Sequence, residues 1–359
     1  MQAYQAAHEH GRFLVGGAAR SVGTSGGWLL GGGHSYNSPA FGTGADNLLE
    51  MNIVTADGTL RTINKCSHPD LFFAVRGGGG ATWGAVVSVT YRTHAEQQMH
   101  VFSPVIPSNL STETFADIVD SWVAVAPALA HTGVGGAWTL FGRQMGIIVN
   151  TQETIANLST FQAALQPFTQ KLSQYRLESG YTTYKHWFDY FSTAVAPEKD
   201  STGGIVGGGP SSVLIPEQLY RENRSVVTSS ILKTSAAGGL FIAGLVGPIR
   251  FAADTGRQGE TSLNPNWYKS IWHVLSDDMA SVVSAAALDS AVYFGESSSE
   301  MKTPARSYWG EENYSKLLET KMKYDRQNLF QVYNGVASGT LETEGRVAYN
   351  QPRWTCYKS

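Results

Sequence analysis

The sequence predicts an α+β fold in which sheet alternates with helix, and three observations carry that prediction. Apolar residues recur at helical spacing, as in Phe115, Ile118, Val119, Trp122 and Ala126, the pattern of one face of an amphipathic helix. Between such stretches lie apolar runs of strand length, among them "AWTLFGRQMGIIVN", read as two strands, and "GGLFIAGLVG". Turn signals such as Ala56-Asp57-Gly58 join neighbouring runs into hairpins. Sheet and helix mixed along the chain in this way describe an α+β architecture.

Taken in order, Met1 to His10 reads as the last turns of an amphipathic helix closed by Gly11. Phe13-Leu14-Val15 is a short buried strand. Asn47 to Ile63 is a hairpin around the Asp-Gly turn. "DLFFAVRGGGG", Asp70 to Gly80, gives a short helix or turn and then four glycines, and Gly84 to His94 alternates as a strand. The helix marked by Phe115 is expected to end before Pro127, because proline disfavours the helical region for its predecessor. Ile155, Leu158, Phe161 and Leu165 mark a second helix, Thr202 to Ser212 a surface loop, and Gly238 to Gly247 a buried strand. Tyr314, Leu317, Leu318 and Met322 line one face of a last helix that ends near Tyr324-Asp325. No internal repeat is present.

Composition excludes several classes. A chain of 359 residues, 15% charged and with net charge −3, has room for two domains or one large one and no basic face for nucleic acid. No apolar run approaches the ~18 residues that span a bilayer, and the N-terminus lacks the charged and apolar regions of a signal peptide. Cys66 and Cys356, far apart and outside any CxxC, make neither a disulfide framework nor a structural zinc site. Sequons at Asn109, Asn157, Asn223 and Asn313 are close to what chance supplies and are at most a hint of a secretory history. Oligomeric state leaves no mark in the sequence.

The most unusual stretch is "GTSGGWLLGGGHSY", Gly23 to Tyr36. Glycine gives a core nothing to pack and loses the most entropy on folding. Flexible linkers carry serine and polar residues rather than Trp28-Leu29-Leu30. The segment is therefore expected to be ordered, its backbone turned left-handed or brought close to something else. No G-x-G-x-x-G and no G-x-x-x-x-G-K-[ST] occurs in the chain. Gly23-Thr24-Ser25-Gly26-Gly27 does satisfy G-x-S-x-G, the nucleophile elbow of serine hydrolases. That elbow needs a strand before it and a helix after it, and "GWLLGGGH" cannot carry a helix past one turn. Ser25 reads as a turn residue, with hydrolysis a remote alternative.

Four segments in sequence, "VGTSGGWLLGGGHS", "GADNLLEMNIVTADGTL", "HPDLFFAVRGGGGATWGAVVSVTYRTH" and "YWGEENYSKLLETKMKYDRQNLF", together resemble the FAD-linked oxidases of the vanillyl-alcohol oxidase and p-cresol methylhydroxylase (VAO/PCMH) fold. The likeness is to the berberine bridge enzyme-like branch, and within it to fungal members of secondary metabolism. It covers residues 1 to about 100 and about 285 to 335. It implies FAD as cofactor, a small-molecule substrate, and three parts. These are residues 1–100 as the C-terminal half of an FAD-binding domain, 101–285 as an antiparallel-sheet substrate domain with helices, and 286–359 as a segment returning to the flavin domain. It also implies that the glycine loop lies against the flavin ring and diphosphate, lined by Val22, Gly23, Gly26, Gly27, Gly31, Gly32, Gly33 and His34. Backbone N–H groups would meet phosphate and ring oxygens there, as in other anion-binding nests. Gly84, Ala85 and Val86 would add main-chain contacts near the adenine, while Asp46 and Asn47 would hold the loop. Each glycine also has a plainer reading, a turn or close packing, and His34 could hydrogen-bond its own loop.

The sequence departs from that family in three places. Members begin with a further subdomain carrying a phosphate-binding turn and a histidine that bonds covalently to the flavin, and nothing in this sequence corresponds to it. Ala18-Ala19-Arg20-Ser21 stands where some members carry a second, cysteine attachment. The family shows Tyr-x-Asn near its C-terminal end, whereas "AVYFGESS" keeps Tyr293, has Gly295 for the amide, and places Glu296 where some relatives carry a catalytic tyrosine. Tyr293 is expected near the flavin ring. Glu296 is open to two readings: a base whose pKa is raised by an apolar pocket, or a solvated loop residue. The implied reaction oxidises a C–H bond beside oxygen or nitrogen, with hydride passing to flavin N5 and dioxygen closing the cycle. Trp138, Tyr184, Trp187, Tyr190 and Trp272 are candidates to wall a planar substrate, although core is the commoner place for such residues. The alternative is a catalytically inactive remnant of such an enzyme.

Overall fold

The computed structural model of the chain describes residues 1–196, 212–286, 289–297 and 303–338. Its strands are β1 (Arg12–Leu14), β2 (Leu48–Val54), β3 (Leu60–Asn64), β4 (Ala85–Tyr91), β5 (Thr93–Ala95), β6 (Met99–Phe102), β7 (Gly135–Phe141), β8 (Gln144–Gln152), β9 (Tyr181–Tyr184), β10 (Ser212–Pro216), β11 (Leu240–Leu245) and β12 (Ser270–Leu275). β1 pairs with β5, β3-β2-β4 form a second sheet, and a seven-stranded sheet runs β10-β12-β11-β7-β8-β6-β9. All these pairings are antiparallel, so the α+β expectation is met.

One face of the seven-stranded sheet is covered by helices Thr112–Thr132, Leu158–Gln174, Glu217–Ala236 and Asp277–Ala285. Their apolar stripes meet the inward residues of the strands, Trp122, Leu165 and Ile231 against Trp138, Ile147 and Phe241. The helix expected to end before Pro127 instead runs to Thr132. A proline inside a helix costs about 3 kcal/mol, and a run of buried side chains from Phe115 to Ala130 outweighs it. What stops this helix is Gly133, left-handed at φ +79. The Thr202–Ser212 loop lies outside the described residues except for Ser212, which opens β10.

A second core joins the first ninety residues to the C-terminal segment. Leu29, Leu30, Met51, Ile53 and Phe72 pack with Tyr308, Trp309 and Leu317. The glycine run after Arg76 serves this contact. A Cβ on Gly78 would stand 2.9 Å from Leu317, and one on Gly79 would stand 3.0 Å from Phe294. The Trp309 indole N–H donates to the Gly77 carbonyl at 3.0 Å. Helix Glu311–Tyr324 turns its inner face slightly from the expected one, burying Asn313, Leu317 and Lys321 and exposing Met322. Lys321 tolerates full burial because its ammonium donates to the Thr82 and Phe330 carbonyls and to the Asp325 carboxylate. Among the described residues no helix is long and apolar enough to cross a membrane.

Candidate active site

Strand alternation decides what the other face of the large sheet presents. In β12, Trp272 and Val274 point to the helical core, which sends His273 and Leu275 to the opposite side. The register places Gly244 of β11 between Ala137 of β7 and His273 of β12. Two of the three residues in that row have little or no side chain. A cavity of about 390 Å³ opens above them, within the range of small-molecule pockets. Its floor is Ala137, Ile242, Gly244, His273 and Leu275, and its roof is Gly17, Ala18, Ala19, Val22 and Trp28, with Tyr36 at the side. Two larger depressions, about 550 and 700 Å³, are lined mainly by surface polar and ion-paired side chains without convergent chemistry.

His34, His273 and Glu296 meet at this cavity. Glu296 Oε1 is 3.4 Å from His34 Nε2, and its Oε2 is 3.7 Å from His273 Nδ1. His273 Nε2 lies 2.7 Å from the buried Ser212 hydroxyl. Both imidazoles rest on aromatic rings, with the Tyr293 ring edge-on to His34 at 4.8 Å and to His273 at 5.7 Å, and Trp267 stacked near each. Burial pushes the Glu296 carboxyl up, but His34 and His273 together pull it down further, to about 2. This corrects the raised-pKa reading of Glu296: its carboxyl is held low by the two imidazoles, on a turn where its side chain is 33% exposed. Burial holds His273 down at about 4 against the opposing pull of Glu296. Burial, reinforced by Glu296, raises the Tyr36 hydroxyl to about 12.

Tyr293 supports the site from beneath. It is buried, is not among the cavity-lining residues, and accepts the Gly33 N–H at its hydroxyl. Trp28 clamps the loop, its indole N–H donating to the His34 carbonyl at 3.1 Å. The Tyr91 hydroxyl donates to the Thr24 carbonyl. Asp46 closes a capping box with Thr43, and Asn47 donates to the Phe41 and Thr43 carbonyls, so both hold the loop.

What stands beside each glycine decides whether the loop suits a flavin. A Cβ on Gly23, Gly26 or Gly27 would meet nothing within 4 Å, so this stretch offers backbone to whatever lies alongside. Gly31 would press on the Gly27 carbonyl at 3.2 Å, Gly32 on Leu263, and Gly33 on the Trp28 ring at 2.9 Å. The residues thus fit one ring system against the forward half of the loop, with Val22 and His34 on the cavity wall, while Gly31 to Gly33 are packed against their own chain. Gly84, Ala85 and Val86 stand at the start of β4 against Val54 and Ile53 and do not line the cavity.

Trp138 and Trp272 belong to the sheet–helix core and Trp187 and Tyr190 to a smaller one, against which Tyr184 packs. None of the five lines the cavity. Ser25 has neither the strand before it nor the long helix after it that an elbow requires, since β1 ends at Leu14 and helix Gly27–Leu30 is a single turn. Ser212, His273, Tyr36 and the row of small residues are the parts that sequence reading missed. The signal for His273 was present, as a lone polar residue alternating with Trp272 and Val274 in "SIWHVL".

The FAD binding domain model matches residues 1–64, and the Berberine and berberine like model matches residues 292–337. The FAD-linked oxidoreductase ZEB1 of Gibberella zeae is 29% identical over 96% of this chain and 64% of its own. The FAD-linked oxidoreductase apf9 of Gibberella fujikuroi is 24% identical over 91% of this chain and 62% of its own. The chain therefore spans less than two thirds of the length of these curated relatives. The VAO-type flavoprotein MtVAO615 of Myceliophthora thermophila C1 superposes with a TM-score of 0.79 at 25% identity, over 93% of this chain and 65% of its own. A chitooligosaccharide oxidase shares the fold, with a TM-score of 0.75 at 19% identity over 93% of this chain and 75% of its own. With both family segments matched, on a VAO-type fold and with FAD-linked oxidoreductases as relatives along nearly its whole length, the chain is similar to the berberine bridge enzyme-like FAD-linked oxidoreductases.

Proposed function

We propose that the chain acts as an FAD-linked oxidoreductase that oxidises a small organic molecule of secondary metabolism in the cavity between the Gly23–Tyr36 segment and strands β7, β11 and β12. One observation carries this reading: a single cavity, lined by the Val22 and Trp28 that flank the open glycines 23, 26 and 27, has small residues on its floor and a carboxylate with two imidazoles at its end. FAD bound along the forward glycines supplies the hydride acceptor, with dioxygen as the final acceptor.

The protein's own residues supply orientation. Val22, Trp28, Ile242, Val246 and Leu275 exclude water and seat the carbon frame of the substrate. His34, His273 and Glu296 receive its oxygen- or nitrogen-bearing end and so orient the neighbouring C–H bond. Tyr293 is a positioning residue for both imidazoles rather than a group that touches substrate.

The test is reconstitution. Purified chain incubated with FAD is expected to leave gel filtration yellow, with about one flavin per chain. Anaerobic addition of a substrate alcohol or amine is then expected to bleach it. A folded protein that stays colourless overturns the reading and favours the inactive remnant.

A further inference from the structure

The contacts of Glu296 are too long for the hydrogen bonds that its neighbours would be expected to make. Charge-assisted N–H···O bonds close to about 2.7–2.9 Å. Elsewhere among the described residues His8–Glu96 and His131–Glu217 stand at 2.8 Å and His100–Glu153 at 2.5 Å, with only His186–Asp189, partly exposed neighbours on one turn, as long as 3.3 Å. Around Glu296 the separations are 3.4 and 3.7 Å, one to each oxygen, and the three ligand atoms all lie within 4.8 Å of one another. Ligands held about 2.1 Å from a tetrahedral ion stand about 3.4 Å from each other. The spacing is that of donors around a common centre rather than of donors bonded to one another.

We propose that His34, His273 and Glu296 bind a single divalent transition-metal ion of the zinc class, with its open position turned into the cavity for a substrate oxygen. Two imidazoles and one carboxylate are a zinc-type donor set, and three protein ligands with one open position are the pattern of a catalytic rather than a structural site. The surroundings are built for it. Ser212 Oγ sits 2.7 Å from His273 Nε2, where it can accept that nitrogen's N–H and leave Nδ1 bare toward the ion, as outer partners of metal-bound histidines do. The carbonyl of His34 is pinned by Trp28, and its ring packs beside both Trp267 and Tyr293. The three ligands come from the glycine loop, β12 and the "YFGE" turn, so the ion would tie together three distant parts of the chain.

The other group of this kind, His8, His186 and Asp189, is a weaker candidate because His8 Nδ1 is already committed to Glu96 at 2.8 Å. The inference does not depend on flavin binding, and its test uses none.

The full chain, freed of metal with a chelator, is titrated with Co²⁺ while its visible ligand-field absorption is recorded. One equivalent is expected to give the strong bands of a four-coordinate ion, and Zn²⁺ is expected to displace them. Glu296→Gln and His273→Gln should weaken binding by at least ~100-fold and Ser212→Ala by about tenfold, while His8→Gln should leave it unchanged. Circular dichroism and thermal melting confirm that each variant is folded. Absence of a saturable band in the wild type overturns the proposal. So does affinity within threefold of wild type in folded Glu296→Gln, or loss of binding in His8→Gln.

Discussion

The two halves of the glycine segment use the same residue for opposite reasons. Gly32 and Gly33 adopt φ +115 and +71, and the space where a side chain would go is filled by Leu263 and Trp28. Gly27, five residues earlier, has helical backbone and nothing within 4 Å of a Cβ position. The rear glycines are required by the protein itself, and the forward ones leave room for something the chain does not contain. Glycine density in a sequence therefore cannot be read directly as cofactor contact: the closed half closes the fold, and the open half is exposed backbone between Val22 and Trp28, which line the cavity.

The sharpest way to break this contrast is Gly32→Ala. The substitution combines a disfavoured left-handed backbone with overlap on Leu263, for an expected loss of about 3–4 kcal/mol in urea unfolding. Trp28→Ala tests the same half from the other side, opening space beside Gly33 and Gly44 and freeing the His34 carbonyl. A loss of about 2–4 kcal/mol is expected. Stability unchanged in either variant would mean that the closed half is not closed.

A pH dependence sharpens the comparison, because the closed half leans on a neutral histidine. His94 Nε2–H donates to the Asn47 side-chain oxygen at 2.9 Å, and Asn47 in turn holds the Phe41–Thr43 turn. Burial, with Arg92 and Arg12 nearby, lowers His94 from its ordinary 6.5 to about 4. The unfolded chain therefore takes up this proton at higher pH than the folded chain does. The stability His94 contributes is complete above pH 6.5 and is lost as the pH falls toward 4, by about 1–3 kcal/mol. Melting curves across this window should show the slope, and His94→Gln, which keeps an N–H for Asn47, should flatten it. An equal slope in the variant would place the titration elsewhere.

Local features were legible in the sequence, and features made by register were not. The β2–β3 hairpin depends on neighbours a few residues apart, and its Asp-Gly turn shows it, whereas the holding roles of Asp46 and Asn47 come from the family resemblance and not from spacing. The row Ala137–Gly244–His273 spreads over more than a hundred residues of chain, so no short window of sequence contains it. Glu296 shows the same limit for charge. Its position after Tyr293 was readable, but the sign of its pKa shift follows from two imidazoles brought by the glycine loop and β12. Pro127 misled because a local rule for helix ends was applied to a helix held by long-range packing.

The smallest expected effect on stability is the most informative about function. Gly27→Ala adds a methyl group to helical backbone facing open space, so stability should stay level or rise by a few tenths of a kcal/mol, up to about 1. The same methyl would stand on the exposed backbone next to Trp28, which lines the cavity, and along which the proposed FAD would lie. FAD affinity, measured by quenching of flavin fluorescence, should therefore fall by about tenfold, equivalent to about 1.4 kcal/mol. If Gly27→Ala is as destabilising as Gly32→Ala, the forward half is packed after all. If it leaves both stability and FAD affinity unchanged, the open half serves neither the fold nor the flavin, and the loop's bearing on the cofactor is lost.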